Sequence, residues 1–285
     1  MIQIEDFFEV QKILWVGDDV ITYLAVHENL NTKVIIKELF PTRYVCRKEK
    51  FKVVPKPGME EQYAAGLQRF RQEAYILNHL GKYGYIPQLL QLLERNNTYY
   101  IVLDYKEGIT LAEYMKDDTK PKQNVKKVFH SLFDTLMFLH GNGVVHLDIS
   151  PENLIIENQE LFLIDFGSAE YISTLNEKKC GEVISGYEAP ELRGTGMPVG
   201  TWTDIYEMCM VIYRYMGFEL PENWGQLLDR RKRKCYLMHS MEGSEEGVRR
   251  GIAKGLAYRP QNRIQITQLY AGFYRQSNFH PILLF

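Results

Sequence analysis

Apolar positions in this chain follow a strand-like rhythm first and a helical one afterwards. Between Lys12 and Leu39, short apolar runs alternate with turn residues: Ile13-Leu14-Trp15-Val16-Gly17, Val20-Ile21-Thr22-Tyr23-Leu24-Ala25 and Val34-Ile35-Ile36-Lys37. They predict three antiparallel strands, the third ending at Lys37. The stretch from Phe40 to Gly66 is longer than two adjacent elements need. Pro41, Pro55, Pro57 and Gly58 punctuate it, and a basic strand-like piece runs from Tyr44 to Val54. Leu67, Phe70, Ala74, Leu77 and Leu80 then recur at helical spacing and carry Glu73 with them. Ile86 to Leu93 and Tyr99 to Leu103 predict two more strands, joined by the turn Glu94-Arg95-Asn96-Asn97.

Past Gly108 the period becomes helical. Thr110 is placed to cap a short helix from Leu111 to Lys116, and the stripe Val125, Val128, Phe129, Leu132, Phe133, Leu136, Leu139 marks the buried face of a long one. Further helices are expected over Asp204 to Met216, around Glu245 to Leu256 and over Gln265 to Tyr270. Between them lie two short apolar runs around a polar loop, Val144-Val145-His146-Leu147-Asp148-Ile149-Ser150-Pro151-Glu152-Asn153-Leu154-Ile155-Ile156 and Leu161-Phe162-Leu163-Ile164-Asp165-Phe166-Gly167. A hairpin built from them would bring Asn153 and Asp165 together. An amide oxygen with a carboxylate suits a hard cation, Mg²⁺ above others, that binds alongside substrate phosphates. Asp148, further up the loop, is left to accept a proton from an incoming hydroxyl.

Bulk properties narrow the class. The 285 residues suffice for one large domain or two small ones, and the apolar content is that of a globular protein. A formal charge of -2 offers no global field for nucleic acid or an anionic membrane. The run Arg230-Arg231-Lys232-Arg233-Lys234 reads as a solvated helix face or loop in preference to a docking patch. Cys46, Cys180, Cys209 and Cys235 have no metal-type spacing, no stretch is long and apolar enough for a bilayer, and no charged-then-apolar leader opens the chain, so reduced thiols and a cytoplasmic setting are expected. Cys180 is read as structural rather than reactive. The apolar tail Ile282-Leu283-Leu284-Phe285 is read as folding back rather than as a contact with membrane or partner.

His146-x-Asp148-x-x-x-x-Asn153 followed by Asp165-Phe166-Gly167 resembles the catalytic loop and metal loop of the protein kinases, and Lys37-Glu38-x-Phe40-Pro41 with Gly66-Leu67-x-Arg69-Phe70 resembles a subset of bacterial serine/threonine kinases. The resemblance implies an α+β, bilobal protein kinase-like fold: a small lobe of five antiparallel strands plus a helix, and a larger, mainly helical lobe. It makes 1–285 one kinase domain, with 1–104 as small lobe, 105–108 as hinge, 109–276 as large lobe and 277–285 as tail. It implies ATP and Mg²⁺, with Asp148, Lys37 and Glu73 catalytic and Asn153 and Asp165 on the metal. Val16, Gly17, Ile35, Lys37, Leu103, Asp104, Tyr105 and Ile155 would surround the nucleotide. Gly186-Tyr187-Glu188-Ala189-Pro190-Glu191 resembles the end of the activation segment, whose Glu191 would pair with Arg263; Asp204 would steady the catalytic loop, although composition alone makes it an N-cap.

Several positions depart from the family pattern. Trp15, Gly17 and Val20 stand at the three glycine positions of the phosphate flap, with Asp18 and Asp19 at its tip, and Ile35 replaces a small residue under the adenine. Side chains restrict the flap and acids repel phosphates, which lowers the expected nucleotide affinity. Ser150 and Ile184 replace a lysine and threonine near the γ-phosphate, and Leu147 replaces an arginine that meets a phosphorylated activation segment, leaving Ser173, Thr174 and Ser185 without a local cation. Three readings follow. The first is an Mg-ATP-dependent kinase acting on Ser/Thr hydroxyls of a protein substrate, with no role for nucleic acid or membrane and an open oligomeric state. The others are a pseudokinase acting as a binding or scaffolding module, and a kinase-like small-molecule phosphotransferase, which the Ala-Pro-Glu anchor disfavours.

Overall fold

A computed structural model describes residues 7–49, 51–117, 119, 124–177 and 186–274. Cys180, Ile184, Ser185 and the tail from Ser277 lie outside them. The chain divides between Lys106 and Glu107 into two compact units.

The first unit is built on β1 (Phe8–Val16), β2 (Val20–His27) and β3 (Thr32–Leu39), a hairpin β4 (Val45–Lys48) and β5 (Lys52–Pro55), helix α1 (Glu60–Leu80), and β6 (Leu89–Arg95) with β7 (Thr98–Asp104). Its antiparallel sheet runs β1-β2-β3-β7-β6, so β3 is central and Lys37 pairs with Thr22 on one side and Ile101 on the other. Lys37 therefore does not end the strand, which continues to Leu39, and it does not face water: only 6% of its surface is exposed. Strand β6 begins at Leu89 rather than Ile86, because Pro87 lacks an amide for the ladder. The β6–β7 turn closes through Asn96 and Asn97 at φ 53° and 60°, the left-handed pair that a two-residue hairpin demands. Helix α1 starts seven residues before the apolar stripe, with Glu60 and Glu61 in its first turn where carboxylates favour a helix N-terminus.

The basic insert of the sequence is the β4–β5 hairpin, and one buried acid ties it to the sheet. Glu38, wholly buried on β3, accepts from Tyr23 at 2.7 Å, Tyr100 at 2.9 Å and Arg47 at 2.6 and 2.9 Å. Burial and the Glu38 charge push both phenols well above their ordinary range, so they stay neutral donors. Arg47 also lies 4.3 Å over the Phe40 ring.

The second unit opens with β8 (Ile109–Thr110) and α2 (Leu111–Lys116), where Thr110 and Glu113 form a reciprocal capping box. Helix α3 (Val125–Gly141), capped by Asn124, buries the expected stripe from Val128 to Leu139 and leaves Val125 half-buried. Next come β9 (Val144–Val145), β10 (Leu154–Glu157), β11 (Glu160–Leu163) and β12 (Glu170–Tyr171). Strands β8, β10 and β11 form one small sheet, and β9 pairs with β12. Helices α4 (Thr201–Tyr215), α5 (Arg230–Ser240), α6 (Glu246–Gly255) and α7 (Ile266–Tyr274) complete the described part. Helix α4 starts three residues earlier than expected, so Asp204 is an interior residue and not the N-cap; Gly200 holds that place. The basic run is also corrected. It opens α5 behind the Asp229 cap, and Arg233 is buried, stacked 3.7 Å over Trp224 and donating to the carbonyls of Trp224, Leu227 and Leu256. A charge run in one dimension hid one inward-facing member of a helix. Cys46, Cys209 and Cys235 are free thiols, and among the described residues no helix is long and apolar enough to cross a membrane.

Candidate active site

In the first unit the two-faced geometry of β3 brings Lys37 opposite α1. Lys37 Nζ lies 2.6 Å from Glu73 Oε1, with both residues buried. Without the acid, a desolvated ammonium would be costly to ionise, so the pair keeps a cation inside the unit. Ile35, two residues earlier, stands opposite Leu103 in the ladder; Leu103 is buried and Ile35 half-buried. Asp104 ends β7 with its carboxylate accepting from the Gln88 amide at 2.6 Å, and Lys33 sits over the Tyr105 ring.

The β1–β2 turn differs from an open glycine flap. The Trp15 indole folds over Gly17 so closely that a Cβ there would come within 1.8 Å of the ring. Trp15 and Val16 remain largely exposed, at 57% and 58%. The carbonyls of Asp18 and Asp19 accept from the amides of Thr42 and Phe40, and Arg43 pairs with the Asp18 carboxylate at 2.6 Å. That exposed pair adds little stability, but it offsets one of the two acids that the sequence set against a polyphosphate.

In the second unit the loop between β9 and β10 holds Asp148 and Asn153. Its amides are satisfied from α4. Asp204 accepts from His146 N at 3.0 Å, Leu147 N at 2.8 Å and His140 Nε2 at 2.8 Å, while Glu207 accepts from Ile149 N at 3.0 Å. Both carboxylates are buried one helical turn apart, so a single α4 face grips the loop. Glu207 escaped the sequence reading; the only trace was its i, i+3 spacing from Asp204. Burial raises its carboxyl well above the usual range, with the Asp204 charge adding to the effect. Gripped in this way, Leu147 is held at φ 64°, a conformation costly for a branched side chain.

Asn153 Nδ2 donates to the Asp148 carbonyl at 3.0 Å and its carboxylate at 2.9 Å, which leaves the amide oxygen of Asn153 available as a ligand. Asp165, also left-handed at φ 63°, accepts from Gly167 N at 3.1 Å, and Phe166 meets the His146 ring edge-on at 4.9 Å. Burial raises the Asp148 carboxyl above its ordinary range and the Asp165 charge adds to it; the Asn153 bond opposes them. Two carboxylates that disfavour each other's ionisation fit a divalent cation near them. Among the described residues no group of three or more His, Cys, Asp or Glu gathers as a metal cage. Ile155 lies on β10 opposite Thr110, and Gly108, at φ 116°, lets the chain pass there: a Cβ would stand 2.6 Å from the Ile156 carbonyl.

Downstream, Glu191 is gripped by Arg263 through two bonds of 2.5 and 2.7 Å and accepts from Thr203 at 2.8 Å, with both members of the ion pair wholly buried at their side chains.

The chain belongs to the protein kinase domain family, which it matches over residues 8–272. It is 28% identical over 233 residues to serine/threonine-protein kinase D of Synechocystis sp., covering 77% of this chain and 42% of that one. It is 27% identical over 292 residues to serine/threonine-protein kinase ppk34 of Schizosaccharomyces pombe, covering 92% and 81%. To serine/threonine-protein kinase PknA of Nostoc sp. it is 27% identical over 77% of this chain and 38% of the relative. The chain thus spans under half the length of the two cyanobacterial relatives. The solved structure of PpkA-294 in its apo form superposes with a TM-score of 0.75 at 24% identity over 94% of this chain and 96% of that one, a likeness of fold.

Proposed function

We propose that the chain transfers the γ-phosphoryl group of Mg-ATP to serine or threonine hydroxyls of a protein substrate. The observation that carries this reading is the Asp148–Asn153 arrangement, a carboxylate and an amide oxygen on a loop whose amides are satisfied by two buried acids of α4. Asp148 orients the acceptor hydroxyl and takes its proton as the oxygen bonds to phosphorus and ADP leaves. Its raised carboxyl suits a base that must also give the proton up. Asn153 and Asp165 are the residues that would hold Mg²⁺, which supplies neutralisation of phosphate charge. Lys37, kept in place by Glu73, adds the cation that positioning-dominated phosphoryl transfer needs. Val16, Gly17, Ile35, Leu103, Asp104, Tyr105 and Ile155 are assigned to the nucleotide surface. Ser150, which is buried, supplies no cation near the γ-phosphate.

The Glu191–Arg263 pair supports a peptide acceptor over a small molecule, because it fixes the segment around Tyr187 as a surface. Trp15 over Gly17 bears on nucleotide affinity, not on the chemistry of transfer. The test is transfer of label from γ-labelled ATP to one acidic and one basic generic protein, beside Asp148→Asn, with a thermal shift on adding ATP and Mg²⁺. Transfer lost in the variant supports the reading. A thermal shift with no transfer to either protein would replace it with a nucleotide-binding module.

A further inference from the structure

In the helical unit a cavity of about 300 Å³ opens among residues 186–195, α4, the 220–225 stretch and α5. Three arginines line it, Arg193, Arg214 and Arg233, against two carboxylates, Glu188 and Glu222. Arg193 is partly compensated, its Nη2 3.6 Å from Glu188. Arg233 has only neutral partners, three carbonyls and the Trp224 ring. Arg214 is half-buried, has no carboxylate partner among the described residues, and lies 5.3 Å over the Tyr187 ring. The Nε atoms of both Arg214 and Arg233 lack a hydrogen-bond partner. Cations withdrawn from water without an acid are costly, and a third anion would relieve this wall.

The cavity also borders the proposed chemistry. Glu188 lines it and is close enough for its charge to act on Asp148, and Tyr187 feels Glu152, the neighbour of Asn153. The segment that carries Tyr187 and Glu188 is held by the Glu191–Arg263 pair.

We propose that this cavity reads the substrate: it receives an aspartate or glutamate side chain lying near the acceptor serine or threonine, with Arg214 as the specificity-determining residue. The inference rests on the kinase reading and names its substrate class, a hydroxyl in an acidic stretch. A guanidinium fork meets a carboxylate with two parallel bonds, and the Tyr187 ring behind it holds the fork's plane. A lysine or arginine at the same substrate position meets like charge and is rejected.

The experiment uses the full 285-residue chain and a series of serine peptides identical except for Asp, Ala or Lys at each of the flanking positions. Peptide binding by fluorescence anisotropy and kcat/KM for transfer are read for wild type, Arg214→Lys, Arg214→Gln and Arg214→Glu, with circular dichroism reporting folding. Wild type is expected to favour Asp over Lys at one position by about tenfold or more, the scale of one charged hydrogen bond. Arg214→Lys keeps part of that preference, Arg214→Gln erases it and Arg214→Glu turns it toward Lys. If the Glu variant does not fold, the Gln and Lys variants carry the comparison. A wild type indifferent to flanking charge in both measurements, or a preference that survives Arg214→Gln, overturns the proposal. Charge-selective binding without transfer would sink the kinase reading and leave this site standing; transfer without charge selection would do the reverse.

Discussion

Leu147 in the catalytic loop and Leu175, ten residues past Asp165, share one buried apolar cluster with Val145, against which Val199 packs. A hydrocarbon contact therefore joins these two stretches at the position where the family resemblance places an arginine. Ser173 and Thr174, beside Leu175, are exposed. Since no added phosphate is needed to bring Leu147 and Leu175 together, phosphatase treatment is expected to leave turnover unchanged. Leu175→Asp, which buries a charge in the cluster, is expected to lower it by about tenfold or more. Loss of turnover on dephosphorylation would contradict this account.

Asp148 links stability to pH. Its carboxyl sits above the ordinary range in the folded chain, chiefly through burial, so as pH rises the unfolded chain loses that proton first. Ionisation then costs folding free energy. The penalty is absent below the ordinary carboxylate range, about pH 4, and complete above the raised folded value. Asp148→Asn is therefore expected to raise Tm at neutral pH, to lose that gain as pH falls toward about 4, and to reduce transfer by at least about a hundredfold. Melting curves across pH for both proteins, free of metal, decide it.

Removing one side of the Lys37–Glu73 pair strands a buried charge. Lys37→Met is expected to cost transfer at least about a hundredfold, and Glu73→Gln somewhat less, since the lysine then survives without its anchor. Steady-state kinetics on both variants, with folding checked by circular dichroism, read the difference.

The Glu191–Arg263 pair is the buried anchor of the segment that ends at Arg193. Arg263 also donates to the carbonyls of Ala257, Trp202 and Tyr258, so Arg263→Ala leaves an acid and three carbonyls short of partners. A loss of about 3–5 kcal/mol in unfolding free energy is expected. Denaturant titration measures it, and a loss under about 1 kcal/mol would show the pair to be dispensable.

The Trp15 indole covers Gly17, whose amide donates to the Val20 carbonyl at 2.9 Å inside the β1–β2 turn. Trp15→Gly is expected to tighten ATP binding several-fold with little change in kcat, because it clears the indole from the turn and lets the chain there rearrange, without touching Asp148 or Lys37. Calorimetric titration of Mg-ATP beside kinetics distinguishes this from a variant that also loses turnover.

Much of this architecture was legible along the chain because it is local. Alternation marked the strands of the sheet, Thr110 marked a helix start through its capping box with Glu113, and the spacing of His146, Asp148, Asn153 and Asp165 marked the loop to which the proposed chemistry is assigned. Boundaries slipped where a local effect outweighed the pattern, as at Pro87 before β6 and at Glu60, whose helix runs ahead of its apolar stripe.

The sequence by itself determined which residues have the right chemistry and which faces of each element are apolar, since both are properties of side-chain type and spacing. Tertiary structure alone decided which polar groups are paired. Glu207 caps the loop amide of Ile149 from 58 residues away, Arg233 turns inward from a run of like charges, and Arg214, beside Tyr187, meets no acid among the described residues. Spacing reports direction along one element. Whether a buried charge finds its counterpart depends on what a distant element brings to meet it, and that is settled only when the chain packs.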